Sequence, residues 1–191
     1  MKTQIKILLI VVGCWVLNSE SSAFASGAGT CDVVANFSTI TGMQSRTRNQ
    51  NTGGYVLSSN VSEYNVFEHV EITLTATGAG NQATYTGIVI SVVDGKGQKV
   101  GTFNFDDETE VRDCGGSAMM AATHTSSHGN VGSRTLFWIP PTEPVGEVYV
   151  LAYVLSGARG NQSSQEFYRL VRNDGAIIIT ESDVIFLNSF D

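Results

Sequence analysis

The chain has 191 residues, of which 42% are apolar and only 15% charged, with a formal net charge of −7. That length allows one domain with a true core plus an appendage, and that hydrophobicity argues against disorder over most of it. So acidic a surface repels phosphate backbones, anionic lipid and sulfated glycans at long range, which argues against nucleic acid as a partner.

Residues 1–25 have the pattern of a secretory leader. Lys2 and Lys6 supply the positive start, residues 7–17 the apolar segment, and Ala23-Phe24-Ala25 a small-x-small cleavage site. The apolar segment is too short to span a bilayer comfortably, and no transmembrane segment is expected in the mature chain. Cleavage after Ala25 would leave Ser26 first, with 9 basic and 17 acidic residues and a net charge of −8. A rival reading takes Val11-Val12-Gly13-Cys14 as a lipobox, which would anchor the protein through a lipid on Cys14. The apolar run continues through Trp15-Val16-Leu17, where a lipoprotein would turn polar, so cleavage after Ala25 and secretion to the extracellular space are favoured. Cys31 and Cys114 then remain, and in an oxidising compartment they are expected to form a disulfide.

The mature region divides into a domain over residues 26–172 and a tail over residues 173–191. In residues 69–76 every second side chain is apolar, the period-two signature of a half-buried strand. Residues 86–93 form a second strand with Ile88, Ile90 and Val92 on one face and Val89 and Val93 on the other, which predicts a central position. Asp94-Gly95-Lys96-Gly97 is a tight turn leading into Val100-Gly101-Thr102-Phe103. An acidic stretch follows, with Asp106, Asp107, Glu108, Glu110 and Asp113. Between Cys114 and Pro141 two apolar runs flank a polar turn at residues 126–130, which predicts a hairpin at the middle of a sheet. Residues 146–155 are a further strand, with Val148, Val150, Ala152 and Val154 on one face and Tyr149, Leu151 and Tyr153 on the other. Residues 165–171 are the last strand of the domain, and the tail is expected to add an edge strand. No helical periodicity appears in the mature region. The pattern is that of an all-β chain, an antiparallel immunoglobulin-like β-sandwich.

Several constellations invite chemistry. His124 and His128 are four apart, a spacing that aims two rings at one zinc ion on a helix but not on a strand and turn. The plainer reading makes His124 a packed histidine bonding a neighbouring strand. A copper site of the N-terminal-histidine kind fails, because cleavage would leave Ser26 first. Asp106, Asp107, Glu108 and Asp113 are weak candidates for calcium, but the offsets of an EF-hand loop are missing and a solvated acidic loop is favoured. Ser117 has no evident base partner, and there is no G-x-S-x-G elbow, P-loop or dinucleotide fingerprint. No cofactor is expected. Tyr149 and Tyr153 are candidate ligand contacts if they form an exposed aromatic stripe, but burial against the second layer of the sandwich is the favoured reading.

The order of landmarks resembles the reeler (reelin-type) domain. It runs from Cys31 and Tyr64 through Val70-Glu71-Ile72-Thr73-Leu74, Tyr85-Thr86-Gly87-Ile88, Val100-Gly101-Thr102-Phe103 and Cys114. It continues with Ala122-Thr123-His124-Thr125, Trp138-Ile139-Pro140-Pro141, Gly146-Glu147-Val148-Tyr149-Val150 and Phe167-Tyr168. The likeness covers residues 30–170 or thereabouts, with Tyr85, Gly87, His124, Trp138 and Pro140 as family-motif residues. It implies an immunoglobulin-like, extracellular and usually non-enzymatic module, from a family that serves in matrix assembly, adhesion and innate defence. The acidic stretch departs from the family pattern. The ending resembles an I-F-x-x-G-F-E tail of secreted gammaproteobacterial proteins, with Ser189 in place of the Gly, and favours a bacterial source. The expected function is binding or adhesion to an extracellular protein or glycan. The alternative is a secreted metal-dependent enzyme or calcium-binding protein using His124 and His128 or the loop 106–113.

Overall fold

Period-two runs become the strands of two facing sheets. The computed structural model describes residues 31, 33, 47–105, 111–114, 119–125, 131–157 and 165–182. Twelve strands follow one another there: β1 (Thr47–Arg48), β2 (Tyr55–Ser59), β3 (Glu63–Tyr64), β4 (Val70–Ala76), β5 (Gly87–Asp94) and β6 (Thr102–Asn104), then β7 (Val111–Asp113), β8 (Ala121–His124), β9 (Ser133–Ile139), β10 (Val148–Ser156), β11 (Glu166–Leu170) and β12 (Ile177–Glu181). The larger sheet has the order β1-β11-β10-β5-β8-β7, and the smaller β2-β4-β9-β6. The chain is an all-β sandwich, antiparallel except where β1 runs parallel to β11 and β12 to β3. No helix among the described residues is long and apolar enough to cross a membrane.

The central pair is β5 with β10, in register from Gly87 opposite Leu155 to Asp94 opposite Val148. Side chains alternate across a strand, so each of these strands serves two cores. Ile88, Ile90, Val92, Val148, Val150, Ala152 and Val154 face the smaller sheet and meet Leu57, Ile72, Leu74, Phe103, Leu136 and Trp138. Val89, Val93, Leu151, Tyr153 and Leu155 point the other way, into a second cluster with Val33, Cys114, Ala121 and Phe167. The Cys31–Cys114 disulfide, Cα atoms 5.4 Å apart, holds Cys31 against this cluster, which Val33 joins. The Lys99 ammonium donates to the Cys31 carbonyl at 2.6 Å beside it.

The hairpin expected between Cys114 and Pro141 is corrected by the topology. β8 lies in the larger sheet between β5 and β7, and β9 in the smaller sheet between β4 and β6. The reason is burial: Ala121–His124 is covered on both faces, whereas β9 leaves alternate side chains in solvent. A similar crossing follows the Asp94 turn. The Asp94 carboxylate accepts the Lys96 and Gln98 amides, each at 2.8 Å, and Val100 N–H still bonds the Val92 carbonyl. The chain then turns at Gly101, φ +66°, and enters the other sheet as β6.

In the tail, Ile177–Glu181 forms β12, placed on the edge of β10 ahead of β11, with Ile179 fully buried. Val184 to Leu187, the second apolar run there, lie outside the described residues.

Candidate functional site

The motif residues are interior. His124 is 5% exposed, and its Nδ1 accepts the Ile88 N–H at 3.1 Å while Thr123 Oγ1 donates to the Ile88 carbonyl at 2.8 Å. The backbone register of β5 with β8 ends at Val89 opposite Thr123, so the imidazole takes over as acceptor for the next amide. Gly87 is required by the same ring: a Cβ there would stand 3.0 Å from His124 Cε1. Replacing His124 with Ala should strand the Ile88 N–H and cost about 2 kcal/mol from that group alone. His124→Asn, which can present an amide oxygen, should recover part of this in urea denaturation. Tyr85 is buried with its hydroxyl 3.4 Å from Arg134 Nε, and Pro140 is buried beside Trp138 in the chain.

Tyr149 and Tyr153 do not form an exposed stripe. Tyr153 is 4% exposed, in the cluster beneath the disulfide. Tyr149 is half-buried, with the Arg172 guanidinium 3.9 Å above its ring and its hydroxyl on Glu147. Their face of β10 points away from the sandwich interior, into the cluster that Cys31 and Val33 join. Asp113 lies in β7, where its carboxylate accepts the Met119 amide at 2.9 Å and closes the approach to β8. Asp106, Asp107, Glu108, Glu110, His128, Ser117 and Cys14 lie outside the described residues. Among the described residues no three His, Cys, Asp or Glu side chains gather as a metal site would require.

The open surface is elsewhere, on the outer face of the smaller sheet. Tyr55, Leu57, Ile72, Leu74, Leu136 and Trp138 point inward, so the alternate positions must point out. Ser58, Thr73 and Thr135 form one cross-strand row, and Val56, Thr75 and Ser133 the next. Thr73 and Thr135 hydroxyls are 2.8 Å apart, and those of Thr75 and Ser133 are 3.1 Å apart. Glu71, Phe137 and Asn104 make a third row, and Ile139 with Thr102 a fourth. At that end His69 meets Phe137 edge-on, ring centres 5.3 Å apart, and Phe67 in the loop before β4 is 76% exposed. The signal for this face was the polar half of the period-two pattern in β4 and β9. Nothing in that pattern says which half is left uncovered.

Residues 37–169 match the family model of the Reeler domain. This chain belongs to the reeler family. The human F-spondin reeler domain superposes with a TM-score of 0.54 at 17% identity, covering 73% of this chain and 96% of that one. The Reelin-N domain of F-spondin gives a TM-score of 0.54 at 18% identity, covering 72% and 93%. At such identities the likeness is one of fold. No curated protein matches the sequence.

One end of this reeler sandwich is closed by tyrosines. Tyr55 and Tyr168 rings lie 5.6 Å apart, and Tyr55 donates to the Thr84 carbonyl at 2.7 Å. Tyr168 donates to Glu166 and accepts from Gln82 Nε2 at 2.6 Å. At the other end Tyr64 donates to the Gly146 carbonyl at 2.9 Å. Burial pushes the Tyr55, Tyr64 and Tyr168 phenols above the usual value of 10.0, with the Glu166 hydrogen bond adding at Tyr168. The folded protein then holds these protons longer than the unfolded chain. Stability is intact below about pH 10 and falls as pH rises beyond it. Thermal midpoints should be flat from pH 8 to 9.5 or so and decline at higher pH, with a shallower decline in Tyr55→Phe.

Proposed function

We propose that this reeler protein is an exported, non-enzymatic binding module that docks on extracellular surfaces through the open face of its smaller sheet. The observation that carries the reading is the asymmetry of covering. On the outer face of the larger sheet Val89, Val93, Leu151, Tyr153 and Leu155 are buried in a cluster with Cys31 and Val33. The outer face of β2, β4, β9 and β6 instead leaves Val56, Ser58, Glu71, Asn104, Ser133 and Ile139 exposed and Thr73, Thr75, Thr135 and Phe137 half-buried. Export is supported by the leader pattern of residues 1–25 and by a disulfide that an oxidising compartment would keep. The motif residues support a structural role, since His124, Trp138 and Tyr85 spend their polar atoms inside the fold.

The test uses fluorescently labelled exported chain adsorbed to the surface of the producing cells and their matrix. Thr135→Lys, which places a charge in the middle of the face without touching the core, should reduce adsorption at least tenfold with an unchanged melting temperature. Adsorption indifferent to that substitution removes the face from consideration. N-terminal sequencing of the exported protein should begin at Ser26, and a fatty acid on Cys14 would replace secretion by anchoring.

A further inference from the structure

We infer that the open face takes a neutral polysaccharide, a reading that rests on this face being the docking surface. The first argument is charge. Strands β2, β4, β6 and β9 carry two charged side chains, and Arg134 lies on the inward side opposite Leu74, beside Tyr85. Glu71 is the one charge they place outside. Sulfate, phosphate or uronate groups would find no cation there and would meet a carboxylate.

The second argument is hydrogen-bonding capacity. Each hydroxyl offers one donor and two acceptor lone pairs. In the Thr73–Thr135 and Thr75–Ser133 pairs only one hydrogen and one lone pair are engaged between the partners, so each pair retains a donor and acceptors for a ligand. Ser58 and Asn104, both exposed, add further groups of both kinds. Sugar hydroxyls present the same mixture of donor and acceptor. A protein interface draws on Tyr, Trp, Phe, Met and Arg and is poor in Ser; the four strands place only Phe137 of that set on this face, among Ser and Thr.

The third argument is shape. Phe67, 76% exposed, and Phe137 with its edge-on His69 supply aromatic surface at one end, suited to the C–H faces of a hexose. The seven residues of β9 extend over roughly 20 Å, and four strands about 4.8 Å apart span roughly 15 Å. That area fits several consecutive sugar units lying along the face, and a polymer more than a single monosaccharide.

Affinity electrophoresis of the exported chain tests this, in native gels cast with a mixed-linkage β-glucan, a galactomannan, an α-glucan or heparin. Retardation is expected in at least one neutral gel and none in heparin. Phe67→Ala and Thr135→Lys should each weaken apparent affinity at least fivefold with unchanged melting, and Ile178→Ala, on the other sheet, should not. No retardation in any neutral gel overturns the inference, as does retardation that survives both substitutions. If the neutral gels fail while cell-surface adsorption still depends on Thr135, the face docks a protein and only the ligand class is wrong. Adsorption independent of Thr135 would instead sink the docking surface itself.

Discussion

Changing Cys31 and Cys114 together to serine should lower the thermal midpoint by about 10 °C. The bond closes a loop across a sequence separation of 83. On the chain-entropy model such a loop stabilises by roughly 4.5 kcal/mol. For a domain of this size each kcal/mol is about 2–4 °C of midpoint. The consequence is local as well as global, because the bond ties the segment carrying Val33 over Val89, Leu151, Tyr153, Leu155 and Phe167. The variant should therefore bind a hydrophobic dye at temperatures where the parent does not. Calorimetry with and without reductant gives the same comparison without mutation, and a change of under 2 °C or so in either experiment would show that the staple contributes little.

Trp138→Ala should cost about 3–5 kcal/mol, the range for emptying a fully buried aromatic site. Trp138 is 0% exposed, packs edge-on to Tyr64 with ring centres 5.4 Å apart, and donates Nε1–H to the Val100 carbonyl at 3.1 Å. It thereby holds the point where the chain leaves β5 for β6. Trp138→Phe keeps much of the volume but abandons the Val100 carbonyl, and should cost less than the alanine. Gly101→Ala approaches the same contact from the other side: its Cβ would run into the indole, with Ile139 O at 2.5 Å, at a φ of +66° that favours glycine. Urea midpoints for the three variants should fall below the parent, with Trp138→Phe the mildest of the two Trp138 changes. A parent-like midpoint for Trp138→Ala would mean that the crossing is held by something else.

The Cys31–Cys114 pairing was expected from the sequence, whereas the contacts of Trp138 with Tyr64 and the Val100 carbonyl were not. Alternation over residues 69–76 and 146–155 marked β4 and β10, and apolar residues on both faces of residues 86–93 marked β5 as central, where it lies between β10 and β8. Alternation reports that a strand has two unlike faces, or two alike, and these runs are long enough to be unambiguous. It does not report which strand lies beside which. Ala121–His124 and Ser133–Ile139 flank a polar turn as hairpin strands would, yet they belong to different sheets. For Tyr149 and Tyr153 alternation left a stripe and the core both open, with the core favoured, and Tyr153 is covered.

Residue order along the chain was enough to determine an all-β chain, its central strands, the pairing of Cys31 with Cys114, and the reeler resemblance. All of these follow from local alternation, composition and the spacing of landmarks. Only the tertiary structure decided that the outer face of β5 and β10 is sealed while that of β4 and β9 is open. Covering a sheet face is a contact between segments distant in sequence, here Val33 and Cys31 against β10 and Cys114, and a period of two carries no record of it.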